Sequence, residues 1–234
     1  MVIGNGQIAN KFKQNNFENN IVVFASGVSN SNCTSSKEFE REEKLLKYVL
    51  EENKDKKFIY FSSCALSVNN YDLNAYYKHK LYMESLIKKN SDNYYIFRVP
   101  QLFGDLKSHN TIINFFYNCI LNNTSFHIYD DSYRYVIELN DVYKIVNYIV
   151  STQSSKLTLD IANPYRYQVV EIVKILEKLL SKNANYTFIK KSDKYTLNLN
   201  NFNQFINEGE FEIKNLGQEY LYVKLKENLL RIKS

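Results

Sequence analysis

The sequence predicts an α/β protein with a parallel sheet flanked by helices. Three observations predict it. Short apolar runs rich in β-branched and aromatic residues, "NNIVVFASG", "KKFIYFSS" and "NYYIFRVPQLFG", recur within residues 1–104. Amphipathic stretches, "KEFEREEKLLKYVLEEN" and "NAYYKHKLYMESLIKKN", separate them. Alternation of this kind gives a parallel sheet with helices on both faces, and ligands in such sheets sit beyond the carboxyl ends of the strands.

The elements follow in order. Met1 to Ile3 is a short apolar strand that runs into Gly4-Asn5-Gly6, and a helix follows through Lys13. "IVVFASG" reads as a strand buried on both faces, because its apolar run is continuous. In the next stretch Phe39, Leu45, Leu46, Val49 and Leu50 share one side of a helix, with charges around them. "KKFIYFSS" is a further strand, and "NYYIFRVPQLFG" is another that Pro100 and Gly104 close. Residues 1–104 therefore form one domain, and residues 105–234 a smaller lobe packed on it, parts of which can return to the sheet. In the lobe, "TIINFFYNCIL" is a helix, "FHIYDDSYRYVIEL" two strands around a turn at Asp130-Asp131, and "NDVYKIVNYIV" a helix capped near Asn140 or Asp141. "KLTLDIAN" and "ANYTFIKK" are strands, while "YQVVEIVKILEKLLSK" and Glu219 to Ile232 are helices.

Composition narrows the function. The net charge of +5 is spread along 234 residues with no block of five or six basic residues, which argues against nucleic-acid and membrane partners. Three separated cysteines, Cys33, Cys64 and Cys119, suggest a reduced compartment, and three His without metal-ligand spacing argue against a metal site. No apolar run approaches a membrane span, and no charged segment followed by an apolar core marks a signal peptide. The expected location is the cytoplasm.

Three groups of residues carry candidate chemistry. Gly4-x-Gly6-x-x-Ala9 follows a strand and opens a helix, where a glycine lets the backbone approach a pyrophosphate and the helix N-terminus favours its charge. Tyr76 and Lys80 share a helix face at i, i+4, and a nearby ammonium lowers a phenol's pKa toward acid/base use. Glu84 continues that face and reads as a structural partner of Lys80. The Tyr-x-x-x-Lys spacing occurs four times, starting at Tyr76, Tyr186, Tyr220 and Tyr222, so the pair alone decides nothing. Ser62-Ser63 ends the preceding strand, where a hydroxyl can bond a substrate oxygen or serve only as a turn.

Taken in order, Gly4-x-Gly6-x-x-Ala9, "VVFASGVSNS", "FIYFSSCALS", Tyr76-x-x-x-Lys80-x-x-x-Glu84, "FRVPQLFG" and "YRYVIELNDV" resemble the extended short-chain dehydrogenase/reductases, the nucleotide-sugar epimerases, dehydratases and ketoreductases. The resemblance spans nearly the whole chain. It implies a Rossmann-like sheet that lacks two of the usual early strands, with a C-terminal substrate lobe. It implies Tyr76 as catalytic acid/base, Lys80 as its tuner and nicotinamide-ribose ligand, and Ser63 as the group that orients the reacting oxygen. It further implies an NAD or NADP site at Gly4, Gly6, Gln7, Ile8, Ala25, Ser26, Gly27, Lys80 and Pro100, and a nucleotide-sugar site at Ser63, Cys64 and Arg134. Cys64 itself reads as a buried small residue. The chain departs from the family in its shortened glycine loop, its missing acid for the adenosine ribose, and its short stretch from Ser63 to Tyr76. An enzyme that has lost the nicotinamide, or a non-catalytic binding member, is the alternative. A sheet edge bared by the missing strands would be covered by a homodimer.

Overall fold

A computed structural model describes residues 1–15, 20–68, 73–106, 111–209 and 213–233. In chain order the elements are β1 (Val2–Ile3), α1 (Gln7–Lys13), β2 (Ile21–Phe24), α2 (Ser36–Glu51), β3 (Lys57–Ser63), a 3₁₀ turn (Cys64–Ser67), α3 (Ala75–Asn90), β4 (Tyr94–Val99), β5 (Gln101–Phe103) and α4 (Ile112–Leu121). Then come β6 (Phe126–Arg134), β7 (Val136–Glu138), α5 (Leu139–Thr152), β8 (Leu157–Asp160), β9 (Tyr167–Gln168), α6 (Val169–Leu180), β10 (Tyr186–Asp193), α7 (Asn200–Glu208) and α8 (Tyr220–Lys233).

The main sheet has five parallel strands in the order β1-β2-β3-β4-β8. Side chains alternate across it, so each strand feeds two cores. Ile21, Val23, Ile59, Phe61, Tyr95 and Phe97 point to one face, where Phe12 of α1 and Ile145 and Ile149 of α5 cover them. Val22, Phe24, Phe58, Tyr60 and Ile96 point to the other, beneath Leu46 and Val49 of α2 and Met83 and Ile87 of α3. Helix starts are set by side-chain caps: Ser35 Oγ accepts from Glu38 N–H, Asn74 Oδ1 from Tyr77 N–H, and Thr111 Oγ1 from Asn114 N–H.

Pro100 ends β4 by removing a ladder donor, and the chain steps into the small β5-β7 sheet. A third sheet, β10-β6-β9, completes the fold. Residue 104 does not divide the core: one cluster runs from Phe12 to Leu225, and β8 returns from the C-terminal part to pair with β4.

Several local expectations are corrected. Asp130 and Asp131 lie inside β6 rather than at a turn, because the parallel partner β10 bulges between Ile189 and Ser192 and offers Lys191 N–H to Asp130 and Ser192 Oγ–H to Asp131. The cap of α5 is Glu138, whose carboxylate accepts from Asn140 N–H and Asp141 N–H. Helix α7 had no clear sequence signal, since Phe202 is its one fully buried anchor. The Tyr220/Lys224 pair is structural: both donate to the buried Asp141 carboxylate, tying α8 to the start of α5. No helix among the described residues is long and apolar enough to cross a membrane.

Candidate functional site

The site lies at the carboxyl ends of β1, β2, β3 and β4. Gly4 leaves β1 with φ +120°, and a Cβ there would stand 2.3 Å from the Ala25 carbonyl oxygen. The fold therefore requires glycine at Gly4, so that the turn can lie against Ala25 and Ser26. Lys13 donates to the Gly4 carbonyl at 2.7 Å and to Asn5 Oδ1 at 3.0 Å, which pins the turn. Gly6 differs. Its φ is −76°, it is exposed at the N-cap of α1, and a Cβ would meet nothing within 4 Å. Among the described residues no contact requires glycine at that position, and the helix start has no side-chain cap. Gln7 Oε1 beside it is a buried oxygen with no hydrogen-bond partner among the described residues. Ile8 is half-buried on the same first turn.

The loop after β2 links this turn to the helix face behind it. A Cβ on Gly27 would meet Lys80 Nζ at 2.6 Å and Glu42 Oε1 at 2.9 Å. Lys80 is 3 % exposed, and its ammonium donates to Glu42 Oε1 at 3.1 Å and Tyr60 Oη at 3.0 Å. Glu42 is fully buried. Its carboxylate also accepts from Val28 N–H at 2.7 Å, from Tyr60 O–H at 3.0 Å and from His79 Nε2 at 3.2 Å. Phe39 stacks on the His79 ring. Burial opposes ionisation of Glu42, but the bonds from His79, Lys80 and Val28 win and hold its pKa at about 2. Burial pulls the Lys80 ammonium below its ordinary value, although Glu42 holds it up.

Tyr76 is 9 % exposed, with its ring 5.8 Å from Lys80 Nζ and edge-on to Tyr77. Its phenol is pushed up, first by burial and then by the Glu42 charge. This corrects the expectation that Lys80 acidifies Tyr76: the Lys80 charge is answered by Glu42. Glu84 is corrected too. It forms a bidentate pair with Arg98 of β4, at 2.9 and 2.7 Å, rather than bonding Lys80. Arg98 also donates to Ser67 Oγ, which donates to Asp160 of β8.

Ser63 ends β3, where it pairs with Val99, one residue before Pro100. Its Oγ accepts weakly from Ala65 N–H at 3.4 Å. Ser62, on the Tyr60 face of the strand, has a buried hydroxyl with no hydrogen-bond partner among the described residues. Cys64 is fully buried, and its thiol donates to the Arg98 carbonyl at 3.0 Å while burial pushes its pKa up. Its side chain is thus part of the core, which corrects its assignment to the substrate site. Arg134 ends β6 and is committed to β10 through the Asp193 carboxylate and main-chain carbonyl. The shortened stretch between Ser63 and Tyr76 lies partly outside the described residues.

The structure therefore brings together Gly4, Gly6, Gln7 and Ile8 with Ala25, Ser26 and Gly27, and through Gly27 with Lys80 and Tyr76. Ser63 and Pro100 lie at the same sheet end. Glu42, Tyr60 and His79 were not picked out from sequence. The signal for Glu42 was present: it falls on the apolar stripe of α2 with Phe39, Leu46 and Val49, where a carboxylate requires a buried counter-charge.

Compared by sequence, no family model and no curated protein matches the chain. Compared by structure, dTDP-glucose 4,6-dehydratase from Bacillus anthracis, solved with NAD, superposes with a TM-score of 0.71 at 13% identity, over 96% of this chain and 76% of that one. UDP-N-acetylglucosamine 4-epimerase from Methanobrevibacter ruminantium, solved with UDP-N-acetylmuramic acid, gives 0.70 at 17% identity, over 97% and 80%. UDP-glucose 4-epimerase from Thermotoga maritima, solved with UDP-glucose, gives 0.69 at 17% identity, over 97% and 82%. With its five-stranded parallel sheet and helical layers, the chain shares the fold of these dehydratase and epimerase structures.

Proposed function

We propose that the protein reduces or epimerises a nucleotide-activated keto sugar with NAD or NADP, in the cytoplasm and in the service of surface-polysaccharide synthesis. The observation that carries this reading is the convergence of an unneeded glycine, Gly6, with the Tyr76–Lys80 face at one end of one parallel sheet. The residues fit the cofactor at its pyrophosphate. Gly6 leaves open the space a phosphate would take, and the uncapped start of α1 presents N–H groups to it. Gly4 shapes that turn, Gln7 and Ile8 line it, Ala25, Ser26, Gly27 and Pro100 border the nicotinamide end, and Lys80 faces the ribose once it is uncovered.

A nicotinamide held there supplies or takes up a hydride at the sugar carbon. Tyr76 passes a proton to or from the sugar oxygen, Ser63 orients that oxygen, and Arg134 holds the diphosphate by exchanging Asp193 for it. A homodimer through the outer edge of β1 belongs to this reading. Gly6→Val is expected to lower thermal unfolding by only a few degrees, through the poorer N-cap of α1, and to abolish dinucleotide binding in calorimetry, because the new side chain enters the ligand's space. Mixing the protein with C4-deuterated NADPH or NADH and a UDP- or dTDP-linked 4-keto sugar tests the reduction: one deuterium in the product supports it, and none with either cofactor counts against reduction.

One observation favours a second reading. Glu42 and Gly27 enclose Lys80, and β1 has no strand on its outer side among the described residues, where the adenosine would lie. A protein that binds the nucleotide sugar without nicotinamide is the outcome if that enclosure never opens.

A further inference from the structure

We propose that the outer edge of β10 is a dimer interface, at which β10 pairs antiparallel with β10 of a second copy about a two-fold axis through Thr187. The inference is independent of the chemistry proposed for the sheet end. It also names a face other than β1, whose edge offers only Val2 and Ile3.

Three observations carry it. The third sheet runs β10-β6-β9, and no strand among the described residues pairs with the far side of β10. Thr187, Phe188 and Ile189 are exposed in succession, so both faces of the strand are open as well as its edge. That edge is also aromatic. Phe188 is 55 % exposed, and ring contacts run from it through Tyr186 (5.5 Å) and the buried Phe126 (5.9 Å) to Phe115 (5.9 Å), itself 51 % exposed. At ~150–250 Å² per ring, Phe188 and Phe115 leave roughly 200 Å² of apolar surface in water beside open main-chain groups. Finally, the devices that blunt natural edges come late in this strand. The bulge falls between Ile189 and Ser192 and takes in Lys190 and Lys191. Residues 185–189 are left as a regular, unprotected edge.

Register and charge select a second copy as the occupant. Asn185 C=O accepts from Phe126 N–H at 3.1 Å and so faces β6; main-chain groups alternate between the two edges, which turns those of Tyr186 and Phe188 outward. An axis at Thr187 sets Tyr186 against the partner's Phe188, and Phe188 against the partner's Tyr186, in hydrogen-bonded pairs. Four rings then meet on the face that already holds Phe126 and Phe115. Thr187 meets its own copy as a close, non-hydrogen-bonded pair, a favourable Thr–Thr contact. Lys190 falls beside the partner's Ala184. In each copy Ala184 N–H donates to Glu177 Oε1 at 2.7 Å, while the other oxygen pairs with Lys174, so a carboxylate stands where that lysine arrives. An axis at Lys190 would instead oppose like charges. The pairing is self-complementary and closes at two copies. Its area is at the small end for a specific interface, which makes the dimer concentration-dependent.

The test is sedimentation velocity of the intact chain from ~10 µM to ~1 mM, followed by oxidation of two cysteine variants. The wild type should pass from monomer to dimer over that range. Phe188→Asp, at an exposed position that costs the fold little, should stay monomeric. The cysteine variants are made with Cys33→Ser, since Cys64 and Cys119 are buried. Thr187→Cys should cross-link to its own copy under mild oxidation, because a facing non-hydrogen-bonded pair stands within disulfide reach. Asn185→Cys, about 13 Å from its own copy in this register, should cross-link roughly tenfold more slowly or not at all. A monomer at every concentration overturns the proposal. A dimer that Phe188→Asp leaves intact places the contact elsewhere, β1 included, and overturns it too, as does equal cross-linking of the two cysteine variants.

Discussion

Lys80→Met is expected to destabilise the protein by about 3–5 kcal/mol, because it strands a buried carboxylate. The carboxylate is that of Glu42, which keeps its bonds from Val28, Tyr60 and His79 but loses its cation. For a domain of this size that corresponds to a fall in Tm of roughly 6–20 °C. The double variant Glu42→Leu, Lys80→Met should recover only part of the loss, since it removes the stranded charge but leaves Val28 N–H, the Tyr60 hydroxyl and His79 without their acceptor.

The pH dependence gives the same argument a sign. Glu42 ionises at about 2 in the folded chain, against an ordinary 4.5. A carboxylate with a depressed folded pKa contributes stability that is present above the unfolded value and lost as pH falls through the folded one. The wild type should therefore lose about 3 kcal/mol between pH ~5 and ~2 through Glu42 alone, and the Lys80→Met variant should lose less. Lys80 acts at the other end of the scale. Burial lowers its folded pKa, so the unfolded chain binds more protons between that value and 10.5, and stability rises with pH there. Urea unfolding of the three chains across pH checks both limbs. Equal stability of wild type and Lys80→Met at pH 7 would contradict the account.

Tyr76→Phe should lower turnover by about 10²–10⁴-fold, the usual worth of a positioned proton donor. Binding should change by no more than a few-fold, because Phe fills the same buried site and loses only the hydroxyl. A loss in kcat with KM nearly unchanged is the signature of an interaction made in the transition state. Retained turnover would remove Tyr76 from the chemistry.

Much of this fold could be read from the chain because the signals were local. Continuous apolar runs such as Ile21–Phe24 can be satisfied only with cover on both faces, and the structure supplies it. Glycine placed the β1-α1 turn, although Gly4 and Gly6 do different work: one relieves a backbone contact and the other leaves space. The i, i+4 rule placed Tyr76 and Lys80 on one face but could not say what faced them. That depended on α2 packing beside α3, which brings Glu42 to Lys80 across 38 residues of sequence. The same limit hid the Glu84–Arg98 pair and the link from Arg134 to Asp193, which joins strands of the third sheet. Asp130-Asp131 misled because aspartates mark turns, whereas a bulge in the partner strand gave them donors.

The most direct test of the central claim is a calorimetric titration of the intact protein with NADPH and with NADH. The account predicts saturable binding of one of them, abolished by Gly6→Val while the fold is retained. Absence of binding up to millimolar cofactor, with the protein folded, would contradict it and leave a nicotinamide-independent sugar-nucleotide binder.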